Sequence, residues 1–250
     1  MSATLRIDRD RYTVTLTLTR PCCIDIAGKH ELAQVLDELA SDESIRALIL
    51  TSEDPQGFLV DVRELVDMTK AQARAFSDSG QRLAQALGSL PFPVIAAVDS
   101  AALGGGCELV LSCDLAIAGA NAQFGQIEAN GGVIPGFGGT WRLARRVGFQ
   151  RACEMIFTAA VIDAPTAVAY GLVLEAVPSA DLSSRCQQLA ESISKVSRNA
   201  VAEAKRVLVS GWGLPPGAAS AIEQYAFASL FGSEEQHGRM TAFLAERGTK

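Results

Sequence analysis

Two carboxylates and a run of glycines are the residues of this chain whose types and spacing could do chemistry. Glu108 follows Gly104-Gly105-Gly106 and stands among Cys107, Leu109 and Val110. Glycines placed after a buried strand let backbone N–H groups approach a ligand, and the start of a helix favours negative charge. No lysine follows the glycines, which favours a small oxyanion, such as a polarised carbonyl oxygen, over a phosphate. A carboxylate in apolar company is costly to bury unless it is used or paired. The plainer reading is a first-turn Glu that only answers the helix dipole, and spacing alone leaves both open. Glu128 comes later, in Gln126-Ile127-Glu128-Ala129-Asn130, ahead of the turn-rich Gly131-Gly132-Val133-Ile134-Pro135-Gly136-Phe137-Gly138-Gly139-Thr140. Two carboxylates at one glycine-rich turn make a candidate acid–base pair, their pKa values driven apart by burial and mutual repulsion.

The elements that must position these residues are legible in the hydropathy pattern. Residues 11–20 alternate, with Tyr12, Val14, Leu16 and Leu18 opposite Thr13, Thr15, Thr17 and Thr19, which predicts a strand with one buried face. Asp8-Arg9-Asp10 before it fits a hairpin turn. Leu32, Val35, Leu36 and Leu39 recur at helical spacing. Ala47–Leu50, Val94–Val98 and Leu115–Ala118 are continuous apolar runs, as expected of strands covered on both faces. A helix is predicted over about 71–90, before Pro91-Phe92-Pro93, and a short one over 107–112. This β–α alternation runs to about residue 178. Beyond it, Leu182, Leu189 and Ile193 suggest one helix, and Ala200–Val209 a second after the cap-like Ser197 and Asn199. Gly211–Gly217 is a loop, and two further helices carry Tyr225, Leu230, Phe231, Met240, Phe243 and Leu244. The expected architecture is an α/β spiral core over residues 1–195 with a helical C-terminal region over 196–250 that is not an independent domain.

Composition narrows the function. The 250 residues include 22 Lys and Arg against 28 Asp and Glu, a net charge of −6. An acidic chain with no basic block argues against nucleic-acid or anionic-membrane partners. No apolar run approaches a membrane span and no signal-like core opens the chain, so a cytoplasmic protein is expected. The six cysteines (Cys22, Cys23, Cys107, Cys113, Cys153 and Cys186) show no C-x-x-C spacing and read as reduced, mostly buried thiols. With only His30 and His237 to assist, neither a metal site nor a Ser–His–Asp triad is expected. Dinucleotide, P-loop and nucleophile-elbow fingerprints are missing from the sequence.

The segments Pro93–Val98, Ala102–Leu109, Cys113–Ala118, Ala122–Glu128 and Ile134–Thr140, with Gly238–Arg247 near the end, resemble the crotonase (enoyl-CoA hydratase/isomerase) superfamily. The resemblance spans essentially the whole chain. It implies a spiral of β-β-α repeats with a C-terminal trimerisation region, and trimers that pair as hexamers. It also implies an acyl-CoA thioester as substrate, with no separate cofactor. Two backbone N–H groups, matched here to Gly105 and Val60, would hold an enolate-like oxyanion. Glu108 and Glu128 fill both glutamate positions of the hydratase members. Leu59, Asp61, Gly104, Val133 and Gly136 are expected to line the substrate site.

The sequence departs from that pattern in places. Gln56-Gly57-Phe58-Leu59-Val60-Asp61 is two residues shorter than the family's loop, lacks a glycine before Asp61, and has Gln56 where a lysine is common. Cys23-Ile24-Asp25-Ile26 stands where Asn-Ala-Leu is common, and Asp25 is a poor neighbour for a polyphosphate. Trp141 replaces a common Gln. Either the loop is remodelled and still offers the Val60 N–H, or the acyl group arrives on a carrier protein. Double-bond isomerisation through Glu128 alone, and a non-catalytic relative with a damaged loop, are the other readings.

Overall fold

In the computed structural model, residues 5–19, 24–246 and 248 are described. The chain forms two compact units, residues 1–193 and 194–250. The first opens on the hairpin β1 (Leu5–Asp10) and β2 (Thr13–Leu18), followed by α1 (Ile26–Ala40), β3 (Ala47–Ser52) and α2 (Lys70–Ser89). Next come β4 (Val94–Val98), β5 (Ala101–Leu103) and α3 (Gly105–Leu111), then β6 (Leu115–Gly119) and β7 (Gln123–Gly125). A 3-10 turn (Glu128–Gly131) leads to α4 (Gly139–Val147) and α5 (Phe149–Thr158). The unit closes with β8 (Val161–Asp163), α6 (Ala164–Tyr170), β9 (Glu175–Val177) and α7 (Leu182–Ser194). The second unit holds α8 (Arg198–Gly211), α9 (Pro216–Ser229) and α10 (Glu234–Glu246).

The strands form two sheets. The larger runs β1-β2-β3-β4-β6-β9, parallel except for the first hairpin, and the smaller runs β5-β7-β8. Two successive turns of the chain place one strand in each sheet and then a helix: β4-β5-α3, then β6-β7 and α4. In the turn before them the second strand shrinks to a single parallel bridge, Phe58 to Ala102, between β3 and α2. The fold is therefore a spiral of β-β-α repeats, as the family resemblance implies.

The register sets the positions of the chemistry. Ala102 aligns with Phe124 and, across the bridge, with Phe58. The backbone just beyond these three residues is Leu59-Val60, Leu103-Gly104-Gly105 and Gly125-Gln126. Three sequence-distant loops thus leave the small sheet side by side.

The apolar runs alternate between two compartments, as pleated strands require. Leu48 and Leu50 of β3, with Val94, Ala96 and Val98 of β4, face the main core beside Leu32, Leu36, Leu83 and Leu87 of the helices. Ala47, Ile49, Ile95, Ala97 and Ile117 face the opposite side, where Leu182, Cys186 and Ala190 of α7 cover them. Burying each such Leu or Ile contributes about 1.5–3 kcal/mol.

Two expectations need correction. Asp8-Arg9-Asp10 is the end of β1 and not the hairpin turn, which falls at Arg11-Tyr12, where Arg11 adopts φ +52°. β2 is not solvated on its threonine face: Thr13 and Thr17 are buried, and Gln187 of α7 donates to the Thr15 hydroxyl at 3.4 Å. Cys107, Cys113 and Cys186 are buried free thiols and Cys153 is half-buried; Cys22 and Cys23 lie outside the described residues. No helix among the described residues is long and apolar enough to cross a membrane.

Candidate active site

Gly104 takes φ +55°, a left-handed conformation that a side chain would strain. It turns the chain from β5 straight into α3. Glu108 stands in the first turn of that helix and is 2 % exposed. Its burial is compensated, because Oε1 accepts from the N–H of Phe137 at 2.7 Å and of Gly139 at 2.6 Å. Those donors belong to the glycine-rich turn entering α4. A Cβ on Gly139 would stand 2.9 Å from the Glu108 carboxylate, so the close approach needs glycine there. Burial holds the Glu108 carboxyl above the usual carboxylate range, although the Gly139, Phe137 and Gly136 amides and the Arg142 guanidinium oppose the rise. Arg142 is held by the same turn, donating to the Phe137 carbonyl at 2.7 Å.

Glu128, half-buried at the head of its 3-10 turn, lacks that support. Burial, then repulsion from Glu108, raises its carboxyl to about 7, against the weaker pull of its own N–H. It faces the Gly104 turn: a Cβ there would meet Glu128 Oε1 at 3.3 Å. The buried Gln126 side chain lies beside it, and with its amide nitrogen turned inward it donates to both carboxylate oxygens at 3.1 and 3.2 Å. The buried Cys107 thiol is pushed to about 12 by burial, then by the charges of Glu128 and Glu108, so it stays protonated.

The short loop reaches the same turn. Phe58 donates to the Ala101 carbonyl at 2.8 Å and accepts from Leu103 at 3.4 Å. This seam carries Val60 over Gly105, whose absent Cβ would lie 2.4 Å from Val60 Cγ2. As the first residue of α3, Gly105 has an N–H with no intrahelical acceptor, and among the described residues Val60 N–H donates to no acceptor. Gly105, Val60, Gly104, Glu108 and Glu128 therefore come together around one point.

The remaining residues named from the sequence are placed as follows. Leu59 is half-buried in the loop. Asp61 caps the 3-10 turn Val62–Glu64 through Arg63 N and pairs with the Arg63 guanidinium at 2.6 Å. Gly136 gives its carbonyl to Ser77 at 2.6 Å and Gln81 at 3.1 Å. Val133 is 56 % exposed. Asp25 caps α1, accepting from Gly28 N at 2.6 Å. Trp141 is exposed and stacks on the guanidinium carbons of Arg142 and Arg145, 4.1 and 4.6 Å from its ring.

Sequence reasoning passed over Arg142 and Lys29. Arg142 gave no signal beyond its charge. Lys29 did give one: with Leu32, Leu36 and Leu39 it lies at i, i+3, i+7 and i+10, on the stripe that faces the core. His30 and His237 are exposed. Among the described residues, no cluster of His, Cys, Asp or Glu is arranged to hold a metal ion.

A spiral whose glycine turn gathers two carboxylates and a helix-start N–H is the arrangement of a candidate acid–base enzyme site, and comparison with known proteins names the family. The enoyl-CoA hydratase/isomerase family model matches residues 12–250. Short-chain-enoyl-CoA hydratase of Clostridium acetobutylicum is 36% identical over 246 residues, covering 96% of this chain and 94% of its own. Crotonyl-CoA hydratase of Syntrophomonas wolfei is 34% identical, with 96% and 95% covered. The crystal structure of an enoyl-CoA hydratase from Bacillus anthracis matches with a TM-score of 0.92 at 31% identity, covering 97% of this chain and 96% of that one. The chain belongs to the enoyl-CoA hydratase/isomerase family and is an enzyme of that family.

Proposed function

We propose that the chain hydrates an α,β-unsaturated acyl-CoA thioester, with Glu108 and Glu128 as the acid–base pair. The observation that carries this reading is the contrast between the two carboxyls at one turn. Burial raises both, but for Glu108 two backbone N–H groups and Arg142 oppose the rise, whereas Glu128 is raised to about 7 without those partners. Glu128 is the one that carries the proton delivered to Cα in this reading.

In this reading the thioester oxygen takes the Gly105 and Val60 N–H groups. Water loses a proton to the Glu108 carboxylate, and its oxygen bonds to Cβ. The C=C electrons pass to the thioester oxygen as an enolate, which the two N–H groups stabilise. The Glu128 carboxyl then gives its proton to Cα and the C=O re-forms. One water is added, and the pair keeps one proton, moved from Glu128 to Glu108. Losing one oxyanion donor would cost about 2.7–4 kcal/mol of transition-state stabilisation. Leu59, Asp61, Gly104, Val133 and Gly136 line the acyl and pantetheine path. The working enzyme is a cytoplasmic trimer or a pair of trimers.

Hydration of crotonyl-CoA by the unsubstituted enzyme, with Glu108→Gln and Glu128→Gln beside it, tests this. Activity that collapses in both variants, by about 10²-fold or more, supports the pair. Full hydration in Glu108→Gln removes Glu108 from the acid–base pair and leaves Glu128 as the sole proton carrier. No turnover of any enoyl-CoA by folded enzyme sinks the CoA-hydratase reading and sends the search to carrier-protein thioesters.

A further inference from the structure

Lys29 is 3 % exposed, yet among the described residues it forms no salt bridge. Its Nζ stands 3.1 Å from the Phe76 ring centroid and 4.8 Å from that of Phe137. The two rings are 5.3 Å apart and tilted by 42°. The ammonium has three N–H groups to place, but its one hydrogen bond among the described residues, to the Phe76 carbonyl, is long at 3.4 Å. Asp25 and Glu64 are the carboxylates whose field reaches it. Asp25 is engaged by Gly28 N at 2.6 Å and Glu64 by Ile26 N at 3.1 Å. Burial lowers the Lys29 ammonium from 10.5 to about 8, against the pull of Glu64 and Asp25. A methionine of similar length would fill this space with no charge to desolvate. A residue that costs stability where an apolar one would serve is the usual mark of a working position.

The rings it touches lead directly to the chemistry. Phe137 N–H holds Glu108 Oε1 at 2.7 Å. The Phe137 ring edge stands 2.9 Å from where a Gly105 Cβ would be, and the ring fills the space above Gly80. A small displacement of this side chain moves the carboxylate and the oxyanion glycine together, and misplacements on the order of 1 Å cost about 10²-fold in rate.

We infer that Lys29 is a positioning residue for the thioester reaction, its buried ammonium clamping the Phe76–Phe137 pair and, through Phe137, fixing Glu108 against the Gly105 turn. The inference rests on the hydratase reading. A cation over ring faces is attracted by their quadrupoles, more strongly when desolvated, so the clamp needs a charge and not merely a filled volume.

Lys29→Met and Lys29→Arg test it, with crotonyl-CoA for turnover and acetoacetyl-CoA for binding as an enolate. The methionine variant is expected to melt at a higher temperature, to lose about ten-fold in kcat with KM within about two-fold, and to bind the enolate about ten-fold more weakly. Lys29→Arg, which keeps a cation over the rings, is expected to recover most of the rate. Wild-type kcat and enolate affinity in Lys29→Met overturn the inference. So does a methionine variant that melts lower and loses kcat and KM together, which is the behaviour of a purely structural residue. If the unsubstituted enzyme hydrates no enoyl-CoA, the hydratase reading falls while enolate affinity still decides the role of Lys29.

Discussion

A carboxylate that accepts backbone N–H bonds gives up its proton more readily than one that faces a second carboxylate across a dry turn. Burial raises both Glu108 and Glu128, but the backbone N–H groups of the turn entering α4 oppose the rise at Glu108 alone, and under the proposed mechanism this difference sets a pH dependence. In the proposed mechanism hydration needs Glu108 ionised and Glu128 protonated. The active form is therefore lost as pH rises through about 7, where Glu128 gives up its proton, and lost again at lower pH when Glu108 takes one. The rate profile is expected to be a bell with its alkaline limb near 7. Arg142 is the cation that draws the Glu108 carboxyl down. Removing it in Arg142→Met raises that carboxyl, so the acid limb moves to higher pH, while the alkaline limb stays with Glu128. Arg142→Lys, which keeps the charge, is expected to restore much of the acid limb. Initial rates between pH 4.5 and 9 read both limbs, and an acid limb unchanged in Arg142→Met removes Arg142 from the account.

At the scale of elements, the site depends on the seam between the Phe58 loop and α3. A Cβ on Gly106 would stand 1.7 Å from the Phe58 carbonyl oxygen and 2.4 Å from its carbon, both backbone atoms that no rotamer change can move. In Gly106→Ala the loop must back away and carry Val60 off Gly105. The expected outcome is loss of hydration with about 1–3 kcal/mol of stability, read by turnover and thermal melting together; an active, equally stable variant would show that the seam does not position Val60. The seam also explains what was legible in the sequence. Long apolar runs and the stripe of α1 announced β3, β4, β6 and the helices, because burial on both faces leaves a continuous hydrophobic trace. β5, β7 and β8 are three residues each, too short for alternation to register, and the Phe58 bridge is a single pair. Glu108 and Glu128 were legible through the glycines and motif around them. The unequal treatment of the two carboxyls was not, since it comes from N–H groups of the turn entering α4, 29 and 31 residues beyond Glu108. Asp25, which looked ill-placed for phosphate, turns out to cap α1, a local role that Asp fills as readily as Asn.

For the whole molecule the informative quantity is what the second unit leaves uncovered. In α8 only Lys205 is buried, in α9 only Ala226, and in α10 no residue is. Yet these helices and the loop between them expose Leu208, Trp212, Phe227, Met240, Phe243 and Leu244, several by more than half of their surface. Apolar surface of this kind in contiguous helices marks an interface, and a stable one needs roughly 800 Å² from each partner. Closed rings of identical copies satisfy that need with one surface pair repeated. Native mass spectrometry at micromolar concentration is expected to give three or six chains. Phe227→Asp with Phe243→Asp places charges where the covered surface would have to be dry, which costs several kcal/mol per interface unless they are paired, and is expected to shift the population to single chains. A wild-type enzyme that runs as one chain while hydrating crotonyl-CoA would mean that these helices are covered by something other than copies of themselves. A double variant that stays trimeric would place the interface on another face of the unit.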